Sequence, residues 1–282
     1  MQNFNFHSHT YRCGHADDTY TDEEYVLDYI KNGFKKISFT DHAPEKNKID
    51  KREDMRMDYN IRNEYYNSVK KLKDKYADKI EIQTGYEIEY LPDDVENILE
   101  LKKETDKLIL GQHFVYDDDE KNLKVVHAGS SFEDRFLIKY GEYVEKAMEL
   151  KIPNIIAHPD FVMLGREKFG ELEEQVTRKI CKASEKYGIP LEINLNGIFS
   201  KTYYKDRKLN NDSFDEQVKR LKNVIYPCKD FWKIVSEYNV KVVYGLDTHQ
   251  RGHIDRYKEL ITLATMVIGE DTIKKLNFVE DV

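Results

Sequence analysis

Seven short segments of strand character punctuate the 282 residues, and six of them end on, or just before, a histidine, aspartate or glutamate. They span 3–7, 36–40, 79–86, 107–113, 154–158, 190–194 and 241–247, and most are followed by a helical pattern. Strand–helix alternation of this kind implies a parallel sheet covered by helices. Several helix ends are explicit. Thr21-Asp22-Glu23-Glu24 reads as a capping box and Gly33 as a left-handed stop. Gly188 closes another helix, and Ser131 with Asp134 marks the start of one running to about 150. Ile61, Tyr65, Val69, Leu72 and Tyr76 recur at helical spacing. The stretch 200–226 breaks the rhythm and is expected to be an insertion or lid. No linker or repeat divides the chain, so one domain over 1–282 is expected.

Side chains two apart on a strand share a face. Phe4 and Phe6 are expected on one face of the first strand, with Asn5, His7 and His9 on the other. Ile80 and Ile82 oppose Gln83, Gly85 and Glu87; Leu191, Ile193 and Leu195 oppose Glu192, Asn194 and Asn196. Val242, Tyr244 and Leu246 oppose Gly245, Asp247 and His249. A doubly wound sheet would be apolar on both faces. One apolar and one polar face fit a (β/α)7-type barrel, with helices outside and a polar site at the C-terminal ends of its strands.

His7-Ser8-His9 places two imidazoles on one side of a strand end, in reach of a single ion. His15, Asp41-His42, Glu87, His113, His158 and Asp247-Thr248-His249 arrive at the same rim from other strands. So many imidazoles and carboxylates exceed one tetrahedral site and suit two or three ions with bridging carboxylates. The mixed donors favour zinc, manganese or iron. Singly, each motif has an ordinary reading as a polar strand end or turn; their shared parity and rim argue for a joint metal centre.

Composition excludes other roles. Lys and Arg number 45 against 53 Asp and Glu, a net charge of -8, which lacks the attraction expected of a nucleic-acid-coating protein. No apolar run approaches a membrane span, the N-terminus lacks a signal-peptide layout, and three cysteines without paired spacing suit a reducing compartment. A cytoplasmic protein acting on a small molecule is expected.

The series His7-Ser8-His9-Thr10, Cys13-Gly14-His15-Ala16, Thr40-Asp41-His42, Gly85-Tyr86-Glu87, Gly111-Gln112-His113, Ala157-His158-Pro159-Asp160, Glu192-Ile193-Asn194 and Asp247-Thr248-His249 resembles the PHP (polymerase and histidinol phosphatase) superfamily. The likeness spans nearly the whole chain. Length, the Cys-Gly-His-Ala loop and the helix leading into Gly85-Tyr86-Glu87 point to its monofunctional histidinol-phosphate phosphatases. The resemblance implies a distorted (β/α)7 barrel holding three divalent ions. His7, His9, Glu87 and Asp247 would hold the first, with Glu87 bridging to a second completed by His113 and His158. His15, His42 and His249 would hold the third. One departure is Gly245-Leu246-Asp247-Thr248-His249, where the family commonly shows Ser-Asp-Ala-His; both ligands survive, but the hydrogen bonding around Asp247 is in question.

Clustered divalent ions suit phosphate-ester hydrolysis by attack of a metal-activated hydroxide on phosphorus, without a covalent phospho-enzyme. Asp160, Asp247 and His249 are the candidates for assisting the leaving group. A phosphate dianion calls for arginine, and Arg166, Arg207 and Arg135 are the candidates in that order. His127 and His253 are expected at the surface and Cys13 as a packed thiol beside the third ion. The reading that follows is a histidinol-phosphate phosphatase of histidine biosynthesis. A nucleotide or single-strand phosphoesterase and a non-catalytic metal-stabilised scaffold are the alternatives. Oligomeric state is open.

Overall fold

Local signals in the sequence translate into elements whose helices face one side of a parallel sheet. The computed structural model describes residues 2–44, 55–119, 121–125, 133–202, 204–205, 208–209, 213–221 and 224–280. The main sheet has eight strands, hydrogen-bonded in chain order: β1 (Phe4–Asn5), β2 (Lys36–His42), β3 (Glu81–Ile88), β4 (Lys107–Leu110), β5 (Ile155–Ile156), β6 (Leu191–Asn194), β7 (Lys241–Gly245) and β8 (Asn277–Phe278). Every pairing is parallel. All seven expected strands are present. The eighth, β8, has only two residues, too few for a periodic signal.

The sheet curls toward itself at the end that carries the histidines. Just past β1, Ser8 forms a parallel bridge with Thr248, just past β7, and His9 N donates to Thr248 O at 2.9 Å. That join is a single bridge rather than a ladder. At the opposite end β8 pairs with the start of β7, through Lys241 and Val242.

The helices are α1 (Asp22–Lys31), α2 (Arg62–Lys75), α3 (Val95–Glu104), α4 (Asp134–Glu149), α5 (Glu171–Tyr187), α6 (Asn196–Thr202), α7 (Phe214–Arg220), α8 (Lys229–Val235), α9 (Tyr257–Ile268) and α10 (Glu270–Ile273). Helix α1 begins with the expected capping box, Glu24 N donating to Thr21 Oγ1 and Thr21 N to Glu24 Oε2. Gly33 and Gly188, at φ +83° and +69°, end α1 and α5 where a side chain would be strained. The N-cap of α4 is Glu133; Ser131 lies outside the described residues. Helix α2 buries Tyr65, Val69 and Leu72 along one stripe, each contributing about 1.5–3 kcal/mol. Within 200–226 the described residues carry the end of α6, an antiparallel pair Tyr204–Lys205 with Lys208–Leu209, and α7. No helix among the described residues is long and apolar enough to cross a membrane.

Two apolar clusters separate the two faces of the sheet. The large one joins Ile37, Ile82, Leu108, Ile156, Leu191, Ile193, Val242 and Leu246 to the helices. Among the described residues the small one joins Phe4, Phe6, Ile109, Ile155, Ala157 and Val243, with Val279 packed against them, and it fills the inside of the curled sheet. The expected parity therefore holds in β3, β6 and β7 but is corrected in β1. Phe4 and Phe6 point inward, and Asn5 points to α1, where its Nδ2 donates to Tyr29 Oη at 2.7 Å. Regular pairing stops at Asn5, so the chain can still turn both His7 and His9 inward above the apolar plug.

Candidate metal centre

Above that plug, four side chains from three strand ends converge on one point. His7 Nε2 lies 3.1 Å from His9 Nε2, 3.4 Å from Asp247 Oδ1 and 3.6 Å from Glu87 Oε2. His9 Nε2 lies 3.2 Å from Asp247 Oδ1 and 3.3 Å from Glu87 Oε2. Ligand atoms about 2.0–2.1 Å from a tetrahedral ion stand roughly 3.3–3.4 Å from one another. The observed spacings surround that value. Glu87 Oε2 and Asp247 Oδ1 are buried without a hydrogen-bond partner, which is costly unless a cation sits among them. The residues fit a metal.

Glu87 faces two ways. Its Oε1 lies 2.7 Å from His158 Nε2 and 3.7 Å from His113 Nε2, while Oε2 belongs to the first cage. This is the geometry of a bridging carboxylate. A third group gathers beyond His9: its ring stacks on His249 at 4.1 Å, and His15 lies 4.7 Å from His249 and 5.3 Å from His42. His42 Nδ1 also approaches Glu87 Oε2 at 3.0 Å. Ligand atoms cluster as His9, His42 and His249, and as Cys13, His15 and His249. The backbone is bent to deliver these groups: His158 and Asp247 hold φ +31° and +52°, strain of the kind that accumulates at functional sites.

A second layer fixes the first. Glu192 places both carboxylate oxygens 3.0 Å from His7 Nδ1. Glu89 Oε1 is 2.8 Å from His113 Nδ1, Arg56 Nη2 donates to the same oxygen at 3.1 Å, and His113 N donates to Glu89 Oε2 at 2.7 Å. Asn194 and Asn196 Nδ2 donate to Asp247 Oδ2 at 3.1 and 3.2 Å, so Asp247 is supported even with Leu246 and Thr248 beside it. Thr10 N and Oγ1 donate to the two oxygens of Asp41. Gly111 and Gly245 leave the room: a Cβ at either would strike Glu87 or Glu192. Burial works against ionised carboxylates here, yet His42, His7, His113 and His158 override it and hold Glu87 well below its ordinary range. Asp247 is likewise held down, against burial, by His7, His249 and His9. Glu192 and Glu89 carried no assigned role in the sequence. Their signal is parity: each lies on the ligand face of its strand.

The remaining candidates are distributed as follows. Asp160 is fully buried, and its Oδ2 accepts from Cys228 N at 2.6 Å and Trp232 Nε1 at 2.9 Å. Arg166 Nε donates to Glu173 at 2.6 Å and Nη2 to Asp134 at 2.5 Å. Arg135 is half-exposed, among Glu133, Asp117 and Asp119. Arg207 and His127 lie outside the described residues. His253 is not at the surface as expected. It is fully buried and its ring stacks on Phe199 at 4.0 Å and 12°, so burial lowers it to about 3 and keeps it neutral. Gly252, at φ +83°, precedes it in the same turn. Cys13, Cys181 and Cys228 are buried and form no disulfide.

A PHP-domain family model matches residues 5–196. The chain belongs to the PHP family. Among PHP relatives, the Schizosaccharomyces pombe protein named probable histidinol-phosphatase is 29% identical over 231 residues, covering 72% of this chain and 73% of its own. The Bacillus subtilis histidinol-phosphatase is 23% identical over 278 residues, 90% of this chain and 96% of its own. The crystal structure of the Lactococcus lactis histidinol phosphate phosphatase, complexed with zinc, L-histidinol and phosphate, superposes with a TM-score of 0.62 at 17% identity, covering 93% and 94%. This PHP chain carries groups of histidine, cysteine and carboxylate side chains that could hold a metal ion, and several of them converge around Glu87.

Proposed function

We propose that this protein is a histidinol-phosphate phosphatase, releasing histidinol and phosphate with three divalent ions drawn from zinc, manganese or iron. The observation that carries the reading is Glu87, whose two oxygens face separate histidine groups, so that this one carboxylate would hold neighbouring ions in one centre. When bound, such ions neutralise phosphoryl oxygens and acidify a nucleophilic water.

The chain's own residues supply the rest. His7, His9, Glu87 and Asp247 form the first site; His113 and His158 share Glu87 at the second; His15, His42 and His249 serve the third. Asp247 stays ionised and is a poor proton donor. Asp160 is suited to that task, because burial pushes its carboxyl up to about 7 and its Oδ1 has no partner. Arg166 lines a cavity of about 220 Å³ with Met163, Phe169, Cys228 and Lys229. With Arg207 and Arg135 it is assigned to the phosphate, and in Arg166 that role requires exchange with its present carboxylate partners. A second hollow of about 220 Å³, lined by His15, Asn196, Phe199, Ser200, His249 and Gln250, opens beside the third group. Asn196 and Ser200 there offer the polar contacts that a small ester's organic end requires.

The test is phosphate release by metal-loaded protein from histidinol phosphate, other small phosphomonoesters, nucleotides and single-stranded DNA, with and without chelator. Strong chelator-sensitive preference for histidinol phosphate is expected. Preference for nucleotides or DNA moves the substrate to the alternative class, and silence on all substrates supports the scaffold reading.

A further inference from the structure

Cys13 stands beside the third group without a part in the imidazole–carboxylate scheme. It closes the short turn Tyr11–Cys13, with Thr10 Oγ1 accepting from Arg12 N at one end and Gly14, at φ +82°, at the other. Its side chain is fully buried. Cys13 Sγ, one ring nitrogen of His15 and one of His249 all lie within 4.8 Å of one another, and Cys13 groups in the same way with His9 and Asp41.

The tautomers of the two imidazoles are dictated by their partners. His249 Nδ1 is 3.0 Å from Asp247 O, and His15 Nδ1 is 3.1 Å from the carbonyl of Cys13 itself. A carbonyl only accepts, so each Nδ1 carries a proton, and each Nε2, once deprotonated, is the nitrogen that presents a lone pair. His249 Nε2 is buried with no hydrogen-bond partner, and so is Nδ1 of the fully buried His9, 3.9 Å from Asp41. Lone pairs turned toward one another around a sulfur atom need a cation to reconcile them. Two imidazole nitrogens and one thiolate form a zinc-type donor set, unlike the oxygen-rich sets that suit manganese or magnesium.

We propose that Cys13 is a ligand of the third ion. The S–H bond breaks, its proton passes to solvent, and Sγ bonds the metal beside Nε2 of His15 and His249. This rests on the three-ion reading above and adds a sulfur to it. It also sets the third site apart from the other two in metal preference, since a thiolate selects zinc, cobalt or iron over harder ions.

Cobalt(II) titrated into metal-stripped protein tests the assignment. A sulfur-to-cobalt charge-transfer band in the near ultraviolet is expected in the unsubstituted protein. It should be lost in Cys13→Ser and Cys13→Ala but kept in Cys181→Ser and Cys228→Ser, with bound cobalt counted by elemental analysis in each. Zinc X-ray absorption on the unsubstituted protein reads the same bond without any variant: a sulfur neighbour at about 2.3 Å is expected, on about one zinc in three. A full complement of cobalt with no band, a band that survives Cys13→Ser, or zinc without sulfur overturns the proposal and leaves Cys13 a packed thiol. Absence of bound cobalt altogether overturns the metal centre as well, and the elemental count distinguishes that failure.

Discussion

His7 Nδ1 sits 3.0 Å from both carboxylate oxygens of Glu192, while its Nε2 points into the first cage. A carboxylate on the outer nitrogen fixes the ring's orientation and raises its basicity as a ligand. Glu192→Gln keeps the shape but removes the charge. It is expected to weaken metal affinity by roughly 10–100-fold, read by competition with a chromophoric chelator, while the circular dichroism spectrum is unchanged. Unaltered affinity would show that the Glu192 contact only packs the ring.

Metal binding should depend steeply on pH. Without metal, burial works against the protonated ring, but Glu192, Asp247 and Glu87 raise His7 from 6.5 to about 10. Burial and His9 oppose protonation of His249, yet Asp247 raises it to about 9. Raised histidines stabilise the metal-free fold fully below about 6.5 and lose that contribution as pH rises through 9 and 10. The metal-free melting temperature is therefore expected to fall across this window. Metal needs the deprotonated rings, so its apparent affinity should rise across the same window, with protons released on binding. Calorimetry in buffers of differing ionisation enthalpy counts those protons; none released would contradict the arrangement.

Much of this centre could be read from the chain because strand alternation is a local property. His7-Ser8-His9 and Asp247-Thr248-His249 announce their shared side by spacing alone, and Glu87 does so by parity with Gly85. What the sequence concealed depends on contacts across the sheet. That His7 and His9 share the inner side with Phe4 and Phe6 depends on where pairing with β2 stops, and the two-residue β8 is defined by its pairing with the start of β7. The stacking of His253 on Phe199 joins residues far apart in the chain, and its hydrophobic surroundings have no local signature. Arg166 was legible as an arginine after a strand, whereas its pairing with Glu173 and Asp134 requires knowing how α4 and α5 pack.

Gly111 is the spacer for Glu87, the carboxylate proposed to bridge. A Cβ at this position would lie 1.7 Å from Glu87 Oε1 and 2.4 Å from Glu87 Cδ. Glu87 cannot yield without abandoning His158 or the first cage. Gly111→Ala should therefore fold but displace the bridge, and displacement by about 1 Å costs on the order of 100-fold in turnover. Measured metal content should fall in parallel. Full metal content with normal turnover would remove Glu87 from its bridging role.

Asp160 couples its protonation to a built-in reporter. The chain has one tryptophan, and that residue, Trp232, donates its indole N–H to Asp160 Oδ2 at 2.9 Å. Burial raises Asp160 from 3.8 to about 7 against the bonds from Cys228 N and Trp232. Its contribution to stability is thus full below about 3.8 and is lost as pH rises through about 7. Tryptophan fluorescence should titrate with a midpoint near 7, and Asp160→Asn, which keeps the accepting oxygen, should abolish that transition and flatten stability against pH. If Asp160 also protonates the leaving alcohol, the same variant lowers kcat by about 100- to 10,000-fold and removes the alkaline limb of the rate profile. A variant that loses the fluorescence transition but keeps kcat would restrict Asp160 to holding Trp232 and the start of α8.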